Sequence, residues 1–204
     1  MRQLANKIPI ALIYSRLLIG LLLVGLSYYH APHYGTVAVA LLVVGVLTDV
    51  FDGIVARQLG ISTQRLRRLD STVDQVFWLL VVLATYLACP RFFSENGWQL
   101  GTLLGLEALT YVVSFLRFKK EVATHSFAAK AWVLVSFAAL VQVSLSCQAG
   151  WVFQLCFVVG VLSRLEIIGI LLTLKTWAND VPTLYHAVRL RQGKEIKRHK
   201  LFHG

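Results

Sequence analysis

Four of the chain's five aspartates, Asp49, Asp52, Asp70 and Asp74, fall within 26 residues. They stand at the facing ends of two strongly apolar stretches. An ionised carboxylate there costs about 2.5–3.5 kcal/mol at mid-bilayer depth, and less near an interface. Four such groups together need a compensating charge. Their oxygens are hard ligands, suited to magnesium, manganese or calcium. At about 100° per residue, Asp49, Asp52, Gly53 and Ala56 share one helical stripe, while Asp70 and Asp74 stand one turn apart on another helix. Gly53 and Ala56 let a neighbouring helix or a ligand come close to the backbone. With one segment running inward and the next outward, the two acid pairs meet. They can then hold one or two cations at about 4 Å spacing, as phosphoryl-transfer sites do. The alternative is that the acids snorkel into water or pair with Arg57, Arg65, Arg67 and Arg68. The regular spacing beside Gly53 and Ala56 argues against it.

Membrane spans must carry these acids. The 204 residues are 57% hydrophobic and only 15% charged, whereas soluble domains carry about 25% charged residues. Six stretches have the length and polarity of spans of about 20 residues. They cover 9–29, 36–56, 70–88, 98–116, 131–146 and 151–175, the fifth extending back toward Phe127. The fold expected is all-α, a polytopic six-transmembrane-helix bundle. Its membrane domain covers 1–178, and a basic tail covers 179–204, with Pro182 breaking the preceding helix. The first apolar run is too long for a signal peptide and no small-residue cleavage site follows it.

A net charge of +10 would suit nucleic acid if it were spread over a soluble surface, but here it is confined to alternate loops. Arg2 and Lys7 precede the first span, and Arg57, Arg65, Arg67 and Arg68 follow the second. Arg117, Lys119, Lys120 and Lys130 follow the fourth, and Arg189, Arg191, Lys194, Lys197, Arg198 and Lys200 fill the tail. The opposite loops carry only Arg91. The positive-inside rule places both termini, and the aspartates, on the cytoplasmic side. Tail cations interleaved with Leu190, Ile196 and Phe202 suit an anionic lipid surface, so no nucleic-acid partner is expected. The expected location is a bacterial inner (cytoplasmic) membrane. A transporter would be better served by acids at mid-bilayer.

At the aspartates the chain resembles the CDP-alcohol phosphatidyltransferases. Their signature is D-x-x-D-G-x-x-A-R, eight residues, G, three residues, D, three residues, D. Asp49, Asp52, Gly53, Ala56, Arg57, Asp70 and Asp74 match at the right spacing, and the motif spans 49–74. The second glycine is replaced by Leu66, one turn before Asp70 on the same face. The resemblance implies transfer of a substituted phosphate from a CDP-alcohol, often CDP-diacylglycerol, to an alcohol, with release of CMP. It implies Mg2+ or Mn2+ held by Asp49, Asp52, Asp70 and Asp74, with Asp74 at the position of the general base. Donor contacts then fall to Asp52, Gly53, Ala56, Arg57 and Thr63, although Thr63 serves equally as a helix cap. A homodimer is common in the family. Leu66 narrows the nucleotide side and keeps open a catalytically idle or altered protein acting in membrane binding or assembly.

Asn6-Lys-Ile-Pro9 followed by Arg16 partly resembles the start of phosphatidylglycerophosphate synthases, which makes glycerol 3-phosphate the first acceptor to consider. Arg16 lies about two turns into an apolar run, and a phosphate or the acid cluster is its expected partner. Arg117 and Lys130 would suit an acceptor or lipid phosphate, or anchor the loop; His125 between them reads as an interfacial polar residue. Glu107, Arg164 and Glu166 lie deep in their spans, as structural pairs or functional groups. Cys89 and Cys147 fall at outer span ends, where apolar filler is expected over a bond, and Cys156 reads as inert.

Overall fold

The computed structural model describes residues 8–61, 63–120, 122, 126–178 and 181–194, with Arg67 by its backbone alone. Arg2, Asn6, Lys7, Ser62, His125, Asn179, and Ile196, Lys197, Arg198, Lys200 and Phe202 of the tail lie outside the described residues. All regular structure described is helical: α1 (Ile8–Tyr28), α2 (Tyr34–Gln58), α3 (Gln64–Ala88), α4 (Pro90–Glu95), α5 (Gly97–Phe118), α6 (Phe127–Ser146), α7 (Trp151–Thr173) and α8 (Leu184–Arg191). Six of them, α1, α2, α3, α5, α6 and α7, are long and apolar enough to cross a membrane. A helix satisfies its backbone within the segment, which lipid cannot do for it.

Most boundaries fall within about two residues of the sequence reading, and two of the differences bear on the argument. Helix α3 begins at Gln64 rather than Asp70, because the Thr63 hydroxyl caps it by accepting from the Leu66 N–H at 3.2 Å. Helix α7 ends at Thr173, where Leu174 turns extended, so Pro182 sits in the following link and is not what breaks the helix.

The chain forms two compact units. The first runs to Ser94 and adds Val143–Gln148. Here α1 packs against both α2 and α3, burying Ile13 and Leu23 with Ala38, Leu42, Val73, Phe77, Val81 and Ala84. Glycine permits the close approach. A methyl group on Gly20 would lie 2.8 Å from Leu80 Cδ1, and one on Gly45 would lie 2.6 Å from Phe77 Cζ. The Ser27 hydroxyl donates to the Ala84 carbonyl at 2.8 Å, so its polar atom is satisfied within the apolar packing.

The link from α2 to α3 is short and closed at both ends. Gly60 adopts a positive φ of 67°. The Ile61 N–H donates to the Ala56 carbonyl and the Gly60 N–H to the Arg57 carbonyl, both at 3.1 Å, the Schellman pattern that terminates a helix. Thr63 then starts α3. At the other end of α3, Cys89 is disulfide-bonded to Cys147, which corrects the expectation of unpaired filler. The end of α6 lies against α2, where the Cβ position of Gly35 is 2.6 Å from the Ser144 carbonyl oxygen, and against the end of α3, where Cys89 Sγ lies 3.7 Å from the Val143 carbonyl oxygen.

The second unit comprises residues 95–142 and the chain from Ala149 onward. Helix α5 packs on α7, and α8 packs on α7. Gln99 donates to Gln154 at 2.8 Å. Ala187 of α8 is buried with Ile170, Leu174 and Val181, so this part of the basic segment carries an apolar face that contributes to packing.

Candidate active site

Helix geometry alone brings the four carboxylates level. Asp52 lies six residues before the end of α2 and Asp70 six residues after the start of α3, each about 9 Å along its helix at 1.5 Å per residue. Asp49 and Asp74 lie nine and ten residues from the same ends, at about 14 Å. The short link turns one helix back beside the other, which makes Asp52 and Asp70 the shallower pair and Asp49 and Asp74 the deeper one. Arg16, eight residues into α1, enters at about 12 Å, between the two levels.

The Arg16 guanidinium joins all four acids. Its Nη1 pairs with Asp49 and, at 3.3 Å, with Asp74; its Nη2 pairs with Asp70 and, at 2.6 Å, with Asp52. Thus each terminal nitrogen serves one level. Arg16 is fully buried, while its Nε has no hydrogen-bond partner. Asp52 is buried, whereas the side chains of Asp49, Asp70 and Asp74 retain 45%, 36% and 39% exposure. Of the two destinations expected for Arg16, phosphate or acid cluster, the structure shows the acid cluster.

Carboxylate oxygens of Asp49, Asp52 and Asp70 lie within 4.8 Å of one another. That separation suits ligands around one hard cation with metal–oxygen distances of about 2.0–2.6 Å. The guanidinium is itself a cation, and it is paired with each of these three carboxylates. Donor chemistry and spacing both fit a divalent metal. Asp74 reaches the group through Arg16 and lies outside the three-residue set.

Arg57 is exposed and folds back over its own helix. A methyl group built on Gly53 would meet its Nη1 at 3.6 Å, an ordinary contact. Packing within the protein therefore does not demand glycine at 53, in contrast with Gly45. Ala56 is buried. Thr63 acts as the cap described above, and Leu66 is half-buried in the first turn of α3.

The remaining sites expected from sequence lie in the second unit. Arg117 donates to the Leu172 carbonyl and, at 3.0 Å, to that of Leu174, closing the C-terminal end of α7, where a cation is favoured. Lys130 lies in the first turn of α6, half-buried, with its N–H donated to the Ser126 carbonyl. The deep charges resolve as a pair between helices: Arg164 Nε donates to Glu107 at 2.8 Å, and its guanidinium stacks 3.6 Å above the Trp132 ring. Glu166, two residues on, does not share that pair, and its Oε2 is buried with no hydrogen-bond partner. Trp132 escaped sequence reading because aromatic residues in spans are common.

A family model described as CDP-alcohol phosphatidyltransferase matches residues 6–177, most of the chain. No curated protein and no solved structure matches it significantly.

Proposed function

The chain belongs to the CDP-alcohol phosphatidyltransferase family, membrane enzymes that transfer phosphatidyl-type groups from CDP-alcohols, and from that premise we propose that its donor is CDP-diacylglycerol and its first acceptor glycerol 3-phosphate. The observation that carries this reading is the convergence of Asp49, Asp52, Asp70 and Asp74 on a single cation position. Asp49, Asp52 and Asp70 would hold Mg2+ or Mn2+, with Asp74 completing the shell. Such an ion supplies charge neutralisation at the donor pyrophosphate and at the departing CMP.

The protein's own groups do the rest. Asp74 accepts the proton of the acceptor hydroxyl as that oxygen bonds to the lipid-bearing phosphorus and the bond to CMP breaks. Arg57, always charged and able to fork onto phosphate oxygens, holds the donor pyrophosphate over Gly53 and Ala56. The spare room at Gly53 supports this, since no side chain of the protein requires it. Thr63 adds a nucleotide contact beside its capping bond. Arg16 and Lys130 supply counter-charge to lipid or acceptor phosphate. Arg117 does so only alongside its bonds to the end of α7.

The chemistry at the two ends of α3 supports the proposed orientation. The acids lie near its start, and the Cys89–Cys147 disulfide lies just past its end. Disulfides persist on the oxidising side of a membrane, which supports acids and termini on the cytoplasmic side of a bacterial inner membrane. A homodimer remains part of the proposal on family grounds.

Leu66 favours a second reading, a catalytically idle member serving membrane binding or assembly, because its branched side chain stands one turn before Asp70. The test is CMP release by purified protein with Mg2+, CDP-diacylglycerol and a panel of acceptors: glycerol 3-phosphate, inositol phosphate, serine, choline and a phospholipid. Release with one acceptor establishes the transferase and identifies its substrate. Silence with all acceptors, followed by activity in Leu66→Gly, transfers the assignment to the second reading.

A further inference from the structure

We propose that Arg16 is an exchangeable placeholder: its guanidinium and the divalent ion are alternative occupants of one focus, so Arg16 must withdraw before metal enters. This inference rests on the metal-dependent transferase reading given above. All three residues of the metal-sized set, Asp49, Asp52 and Asp70, already have an oxygen engaged by a guanidinium nitrogen. A divalent ion held among the same three carboxylates at about 2.0–2.6 Å would compete with the guanidinium for them.

Charge explains why such a device is useful. Four carboxylates drawn together in a membrane protein repel one another, and Asp52 is buried among them. Arg16 relieves that repulsion while no metal is bound and lets the helices pack. Its side chain cannot be discharged, so once expelled it needs another anion. The reaction provides one in the phosphate groups of its substrates. Arg16 therefore couples the two binding events: in the metal-free protein it holds the acids, and in the loaded protein it turns to phosphate.

Mn2+ binding to the detergent-solubilised full-length protein, followed by electron paramagnetic resonance without any phosphate ligand, tests this. Wild type, Arg16→Gln and Arg16→Lys are compared, the last keeping a cation for folding should the first fail to fold. Arg16→Gln should bind Mn2+ roughly tenfold tighter or more, since the ion no longer has to displace a guanidinium from the carboxylates, with Arg16→Lys intermediate. Repulsion without exchange would also raise affinity, so the deciding measurement is a wild-type structure with Mn2+ located by its anomalous signal. An ion between Asp49, Asp52 and Asp70, with Arg16 withdrawn from Asp52 and Asp70, is the result expected. An ion at the acids with Arg16 still joined to all four overturns the exchange and leaves the transferase reading standing. Equal or weaker Mn2+ binding in Arg16→Gln overturns it likewise. Absence of Mn2+ from the acids in every variant overturns both.

Discussion

Among the described residues two ionic clusters lie within the apolar helices, and they are built on opposite principles. In the second unit Glu107 meets Arg164 one to one, and the Trp132 ring covers the cation. Charge is balanced and the guanidinium is nearly buried. In the first unit four carboxylates face one guanidinium, and three of them keep more than a third of their side-chain surface exposed. A balanced, covered pair holds helices together and asks for nothing more. An unbalanced cluster carries more negative charge than its one guanidinium neutralises and attracts a cation of higher charge. Charge in a membrane protein is thus best judged by its balance, and the imbalance is why the proposed chemistry is assigned to the first cluster.

The sharpest way to break the comparison is Asp74→Asn. It keeps the volume of the side chain and removes its basicity, so CMP release should fall by about 10²–10⁴-fold with the unfolding temperature nearly unchanged. Glu107→Leu should do the reverse. Stranding Arg164 is expected to cost about 3 kcal/mol, the low end for a broken buried pair because Glu107 is partly exposed, with turnover per folded molecule preserved. Thermal unfolding in detergent beside the same release assay separates the two.

Removing the Cys89–Cys147 bond, by serine substitution or by reductant, should lower stability by about 2–4 kcal/mol. Turnover should survive, because the bond sits at the end of α3 away from the acids. The smallest effect on stability separates two glycines on α2. Gly45→Ala drives a methyl into the Phe77 ring and should cost about 1–3 kcal/mol. Gly53→Ala meets only Arg57 at an ordinary distance and should leave the melting temperature alone, yet slow CMP release by up to about 10²-fold if the donor approaches there. Equal behaviour of the two glycines in both assays would remove Gly53 from the donor site.

Much of the first unit was legible because its determinants are local. Helical spacing aligned Asp49 with Asp52 and Asp70 with Asp74, and the link between α2 and α3 carries its own stop and start in Gly60 and Thr63. The depth of Arg16 marked it as a charge needing a partner, but spacing could not choose between phosphate and carboxylate. Determinants spread across distant helices were harder to read. Arg164 finds Glu107 on α5 rather than Glu166 on its own helix, a choice made by packing and not by sequence neighbourhood. Cys89 and Cys147 looked like filler because a cysteine at a span end carries no sign of its partner. Thr63 shows the limit of motif matching, since one hydroxyl satisfies a capping role and a family position alike.

The most direct test of the central claim is Mg2+-dependent CMP release from CDP-diacylglycerol, measured side by side in wild type, Asp74→Asn and Glu107→Gln. The account predicts that wild type and Glu107→Gln turn over, that Asp74→Asn is slower by about 10²–10⁴-fold, and that a chelator silences wild type and Glu107→Gln. Turnover by Asp74→Asn at the wild-type rate, or its loss in Glu107→Gln while that protein stays folded, would contradict the assignment of chemistry to the unbalanced cluster.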